Sequence, residues 1–196
     1  FHPRVAGFIG EVMSLVSHES YARCVNELVC LDMANSQLLV DRLSRAWDND
    51  DAIFPLDQRL PAPACQQILD LVKPTIIATP EGDTRVDGQH VEHGDAIVVA
   101  TSGTSGVPKA AVLTMAAVEA SARATSERLN VTLRDTWLAC LPPSHVGGLS
   151  VITRSLIMGT SLIPMPSFSP ESFEKGARDG ATLVSLVRKC PIVALV

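Results

Sequence analysis

The sequence predicts an α/β fold, a mostly parallel sheet flanked by helices, and three observations predict it. From residue 28 onward, short β-branched or apolar runs alternate with amphipathic stretches, the pattern of successive βαβ units. The apolar run Asp95 to Ala100 leads straight into a segment rich in Gly, Ser and Thr, and the end of a strand is a favoured ligand position in such sheets. With 196 residues, 46% of them hydrophobic and 19% charged, the chain can bury a substantial core as one large domain or two small ones.

Taken in order, Leu28 to Met33 reads as a strand, Asn35 or Ser36 as an N-cap, and Leu38 to Trp47 as a helix with Leu38, Leu39, Leu43 and Trp47 on its apolar side. Asp48, Asp50 and Asp51 end that helix, and Ala52 to Leu56 returns as a strand. Pro61 and Pro63 open a helix that runs to about Lys73, where Pro74 stops it, and Thr75 to Ala78 is the next strand. Thr79 to Gly94 is a surface hairpin or loop. After the Asp95 to Ala100 strand and the Gly-rich run comes an Ala-rich helix, Ala116 to Leu129. A strand at Thr136 to Leu141, a loop at Pro142 to Gly147 and a helix at Gly148 to Met158 follow. A strand at Ser161 to Pro164, a helix from about Pro170 and a strand at Thr182 to Val187 complete the expected order.

Composition narrows the function classes. A net charge of -5 with Lys and Arg scattered along the chain offers no basic stripe for a phosphate backbone, so nucleic acid is not an expected partner. No apolar run approaches the ~20 residues that span a bilayer, so no membrane is expected either. Cys24, Cys30, Cys65, Cys140 and Cys190 are odd in number and form no C-x-x-C pair, which predicts reduced, buried thiols in a cytoplasmic protein and no zinc site. His90 and His93, three apart, lack further marked ligands and read as a solvated loop, so no metal site is assigned to protein side chains. Trp47, Trp137 and the five Phe residues read as core; His18 and Tyr21 carry no assigned role.

The chemistry concentrates in Thr101-Ser102-Gly103-Thr104-Ser105-Gly106-Val107-Pro108-Lys109. Two glycines let the backbone turn its N–H groups inward, and several hydroxyls with one ammonium supply donors for anionic oxygens, which suits a polyphosphate. It is not a Walker loop, because Val107 and Pro108 separate the lysine from Gly106. A polar surface loop is the plain alternative.

This run resembles the signature loop of the adenylate-forming superfamily, which includes acyl-CoA synthetases, luciferases and peptide-synthetase adenylation domains. A second stretch, Leu141-Pro142-Pro143-Ser144-His145-Val146-Gly147-Gly148-Leu149, lies where that superfamily carries a proline-led motif beside the acyl pocket. Its His-Val-Gly-Gly-Leu form resembles the o-succinylbenzoate-CoA ligases. Phe54-Pro55-Leu56-Asp57 followed by Arg59-Leu60-Pro61 is similar to the family's early strand and the helix after it, so the likeness covers roughly residues 28 to 187.

The resemblance implies a ligase that activates a carboxylic acid with ATP and Mg2+ to an acyl-adenylate and then transfers the acyl group to coenzyme A, with o-succinylbenzoate as the acid and menaquinone biosynthesis as the setting. It assigns Ser102, Gly103, Thr104, Ser105 and Gly106 to the β and γ phosphates, Thr101 to the loop entry and Lys109 to charge neutralisation; Thr104 and Lys109 are the expected catalytic residues. His145 is implied as a wall or gate of the acyl pocket, with Gly147 and Gly148 allowing close approach of a ligand or of the following helix. The alternative for His145, a residue that caps that helix, stays open.

The chain departs from the family pattern where Ala110 and Ala111 follow Lys109 in place of the usual glycine, and where Ser105 replaces the second of two threonines. The family's adenine-binding segment, ribose-binding aspartate, hinge and C-terminal domain with its catalytic lysine have no counterpart here. Residues 1–196 are therefore expected to be an incomplete N-terminal, ATP- and acyl-binding domain, whose apolar ending implies truncation and a surface for a second copy or another partner. A non-catalytic nucleotide-binding or assembly module is the competing expectation.

Overall fold

The computed structural model describes residues 26–102 and 108–179. Eight strands and five helices alternate through them: β1 Leu28–Leu31, α1 Gln37–Asp48, β2 Ala52–Pro55, α2 Ala62–Val72, β3 Ile76–Thr79, β4 Gly82–Arg85, β5 Asp95–Ser102, β6 Pro108–Thr114, α3 Met115–Leu129, β7 Thr136–Ala139, α4 Val146–Met158, β8 Ser161–Pro164 and α5 Pro170–Asp179. The main sheet has the order β4-β3-β1-β2-β5-β6, and β7 and β8 form a separate parallel pair. In the main sheet β3, β1, β2 and β5 run parallel, while β4 and β6 return antiparallel at the two edges.

Every residue of β1 and β2 is buried, the continuous apolar run of a strand covered on both faces. Side-chain alternation then divides the core in two. Val29, Leu31, Ile53, Ile97 and Val99 face Leu39 and Leu43 of α1, Val118 of α3 and Leu149 and Ile152 of α4. Leu28, Cys30, Ala52, Phe54 and Val98 face Val72, Ile68 and Leu69 of α2. Burial pushes the Cys30 thiol up to about 12, which makes it inert.

Capping chemistry explains the helix limits. The Ser36 hydroxyl accepts from the Leu39 N–H at 3.3 Å and starts α1, whose buried stripe is Leu39, Val40, Leu43 and Ala46. Leu38 is 39% exposed, contrary to expectation, because it lies about 100° around the helix from Leu39. Trp47 is half-buried and donates its indole N–H to the Ala96 carbonyl at 3.0 Å. Lys73 closes α2 with a left-handed φ of 50° immediately before Pro74. Pro80 and Glu81 turn β3 into β4, so the expected surface excursion begins as a hairpin that an Arg42–Asp83 ion pair ties back to α1.

Four further expectations need correction. Residues 108–114 form β6, where the sequence reading placed the end of a loop and no strand; cross-strand pairing with β5 overrides the helical preference of Ala110 and Ala111. The following helix starts at Met115, where the Thr114 hydroxyl accepts from the Ala117 N–H at 3.3 Å. Cys65 and Cys140 are half-buried, and Phe168 is exposed beside Phe173 with ring centroids 5.9 Å apart. The expected strand at Thr182 to Val187, together with His18, Tyr21, Cys24 and Cys190, lies outside the described residues. Among the described residues no helix is long and apolar enough to cross a membrane, and no cluster of three or more potential metal ligands occurs.

Leu43 is fully buried between α1 and the sheet. Leu43→Ala is expected to destabilise the chain by about 2–5 kcal/mol, read as a lowered urea midpoint at constant slope.

Candidate nucleotide and acid site

Because β1, β2 and β5 run parallel, the loops that follow them emerge at one edge of the sheet, the edge at which open α/β sheets bind ligands. Side chains knit that edge together. Asn35 donates to the Ala139 carbonyl at the end of β7 at 2.7 Å, and Gln58 donates to Asp32 at 3.2 Å. Asp57, just beyond β2, is gripped by Arg59 through Nε at 2.8 Å and Nη2 at 2.7 Å, and it accepts the Arg59 backbone N–H at 3.1 Å. The Arg59 hydrogen bonds hold the Asp57 carboxyl down to about 2, well below its usual 3.8. Arg59 also donates from Nη2 to Nε2 of His145 at 2.8 Å.

The Gly-rich run grows from this edge. Its two ends are paired antiparallel strands, with Thr101 opposite Lys109 and Ser102 opposite Pro108. Thr101 donates its hydroxyl to the Lys109 carbonyl at 3.4 Å, a contact within the hairpin neck. Lys109 is exposed and makes no ion pair among the described residues. Gly103, Thr104, Ser105, Gly106 and Val107 lie outside the described residues.

Alternation along the hairpin connects this neck to a cavity. Ile97, Val99 and Thr101 share one face of β5, and their partners Leu113, Ala111 and Lys109 share the same face of β6. On that face a cavity of about 200 Å3 opens between the hairpin, α3 and α4, lined by Ile97, Val99, Leu113, Ala117, Val118, Ser121, Ala122, Val146, Leu149, Ser150, Thr153 and Arg154. Thr101 and Lys109 thus stand on the cavity face, nearer the binding edge. Leu113 is roughly 13 Å further along the strand from Lys109.

Arg154 is the functional candidate that sequence reasoning missed. It is only 8% exposed, its guanidinium lies 4.7 Å from the Trp137 ring centroid, and its Nε has no hydrogen-bond partner among the described residues. Burial lowers its affinity for its proton. A buried cation beside an apolar cavity, with no carboxylate partner among the described residues, is a demand for an anion. The available signal was a lone arginine in the otherwise apolar or small stretch Leu149 to Met158, four residues after Ser150 on the cavity side.

The proline-led motif is placed as follows. His145 is the N-cap residue of α4, which begins two residues earlier than expected, but its side chain makes no capping bond; its imidazole is engaged by Arg59 instead. A Cβ on Gly148 would stand 2.2 Å from the Pro142 carbonyl oxygen, so that glycine allows the helix to approach its own entry loop. A Cβ on Gly147 would meet only Leu141 at 3.8 Å. His90, expected in a solvated loop, lies 3.3 Å from the Glu27 carboxylate, which also binds Arg85.

Comparison with known proteins adds context. A family model described as AMP-binding enzyme matches residues 88–187. The chain is 42% identical over 104 residues to a probable 2-succinylbenzoate–CoA ligase of Mycobacterium tuberculosis, covering 50% of this chain and 26% of that protein. It is 28% identical over 183 residues to the 2-succinylbenzoate–CoA ligase of Bacillus cereus, covering 91% and 36%. The chain therefore spans about a quarter to a third of the length of these curated relatives. The o-succinylbenzoate CoA synthetase of Bacillus subtilis, solved with its acyl-adenylate intermediate, superposes with a TM-score of 0.67 at 18% identity over 93% of this chain and 56% of that one, and shares its fold.

Gly148→Ala is expected to destabilise the chain by about 1–3 kcal/mol in thermal or urea unfolding, because backbone must move to admit the methyl group. Asp57 contributes stability that is present above its unfolded pKa of 3.8 and is lost as the pH falls toward 2. Asp57→Asn should accordingly flatten the loss of stability between about pH 4 and pH 2 in urea titrations, while an unchanged acid limb would show that Arg59 gives Asp57 no such role.

Proposed function

Since the chain belongs to the AMP-binding enzyme family, we propose that it is the ATP- and acid-binding part of the N-terminal domain of an AMP-forming acyl-CoA ligase, with 2-succinylbenzoate as the acid. The observation that carries the choice of acid is Arg154. A monocarboxylate activated at its single carboxyl group would leave that buried guanidinium unpaired. A dicarboxylate with an apolar ring supplies one anion to Arg154, apolar surface to Ile97, Val99, Leu113 and Leu149, and a second carboxylate to the reaction.

The two ends of the site are spaced for that. α4 starts at the binding edge, where His145 meets Arg59, and Arg154 lies nine residues down the helix, roughly 13 Å deeper at 1.5 Å per residue. Lys109 stands at the shallow end of the same face. The acid enters with its distal carboxylate toward Arg154 and its reactive carboxylate toward the hairpin. There a carboxylate oxygen attacks the α-phosphorus of Mg-ATP, the bond from that phosphorus to the bridging oxygen breaks, and pyrophosphate leaves. The thiol sulfur of coenzyme A then attacks the acyl carbon and AMP departs. Ser102, Gly103, Thr104, Ser105 and Gly106 are proposed to donate to the β and γ phosphates, Thr101 to shape the loop entry, Lys109 to neutralise developing charge, and Gly147 and Gly148 to keep the acid-side helix entry narrow.

A second reading is a nucleotide-binding or assembly module without catalysis. The exposed edge strand β6, with Val112 52% exposed, supports a further segment, a second copy or another partner covering this side.

Calorimetric titration of the chain with Mg-ATP and with 2-succinylbenzoate tests the first reading. Lys109→Ala is expected to weaken ATP, and Arg154→Met to weaken the acid by about 30-fold or more with ATP affinity unchanged. Equal acid affinity in the Arg154 variant would overturn the assignment. Trapping of acyl-adenylate by hydroxylamine separates the two readings: turnover abolished by Lys109→Ala removes the module, and ATP binding without any turnover supports it.

A further inference from the structure

Arg59 and His145 are 86 residues apart in sequence, yet Nη2 of the first stands 2.8 Å from Nε2 of the second. A guanidinium has donors and no acceptor, so Nε2 receives this bond with its lone pair. The imidazole is then neutral and carries its hydrogen on Nδ1. The Asp57 carboxylate supports the arrangement from behind. It occupies two nitrogens of the same guanidinium and lies 3.6 Å from Nε2, too far to accept from it. Asp57 is largely covered whereas the His145 side chain is 62% exposed, and Nδ1 has no partner among the described residues.

We propose that Asp57 and Arg59 are positioning residues that fix His145 as its Nδ1–H tautomer and present that N–H as a donor to an anionic oxygen of the acid or its activated form. The ligand part of this assignment rests on the ligase reading above; the tautomer part does not. His145 immediately precedes Val146, which lines the cavity, so the donor sits at the cavity entrance rather than on its floor. Arg59 commits Nε and Nη2 to Asp57 and His145, so the part of it that fixes the imidazole is not available to a ligand.

Nitrogen-15 shifts of the His145 ring at pH 8, assigned by the signal lost in His145→Ala, read the tautomer directly. The wild-type chain is expected to show Nδ1–H. Arg59→Ala is expected to move the ring toward the Nε2–H form that free imidazoles prefer, and Arg59→Lys, which keeps a donor and the apolar stem, to restore Nδ1–H. Acid affinity should fall about two- to fivefold in Arg59→Ala, the scale of an exposed charged contact, with ATP affinity unchanged. A wild-type ring in the Nε2–H form, or a tautomer indifferent to Arg59→Ala, overturns the proposal. An Nδ1–H ring lost in Arg59→Ala supports it, and a chain that shows this behaviour but binds no acid overturns the ligase reading and leaves the tautomer assignment standing.

Discussion

Parallel pairing of β1 with β2, Leu28 opposite Ala52 through Leu31 opposite Pro55, is the constraint on which the other features depend. Four consecutive pairs, all eight residues buried, leave no side for water, so helices must cover the sheet above and below. Parallel direction in turn sends the segments after β1, β2 and β5 to the same edge. Asp32, Asn35, Asp57 and the hairpin neck therefore lie at one edge, and the site is a consequence of strand direction before it is one of side-chain identity.

The two arginines near that edge show how environment sorts residues of one type. Arg59 is exposed and paired: Asp57 takes its Nε and Nη2, and His145 shares Nη2. Its charge is cancelled locally, which leaves it geometry to impart and little attraction for a ligand. Arg154 is buried, stacked on Trp137 and without a carboxylate partner among the described residues, none of which cancels its charge in a poor solvent. Desolvation of such a group is tolerable when an anion arrives to share it. In the proposed site the first arginine would organise and the second would select.

The α/β alternation was legible because β1, β2 and β5 are apolar runs of strand length and α1 and α2 carry clear start signals at Ser36 and Pro61. β6 was not, because Ala110 and Ala111 favour helix and its strand character exists only through pairing with β5. His145 was visible as part of a motif, but its partner Arg59 lies 86 residues away and no local spacing could join them. Arg154 escaped for a different reason. A single arginine in a helix ordinarily reads as a solvated face, and only the packing of α4 against Trp137 and the cavity shows that this one is inside.

The place of Lys109 on β6 alters what it can do. On a loop leading into a helix, its direction would be set by a flexible backbone. On β6 it is pinned opposite Thr101, and strand alternation places it on the same face as Val99 and Leu113. The cation at the hairpin neck and the cation at the cavity floor are thus held by two rigid elements, a strand and a helix, on either side of one apolar space. On the reading proposed above, a dicarboxylate would give one anion to Arg154 and keep the other for activation near the hairpin neck, whereas a monocarboxylate would leave Arg154 unmet.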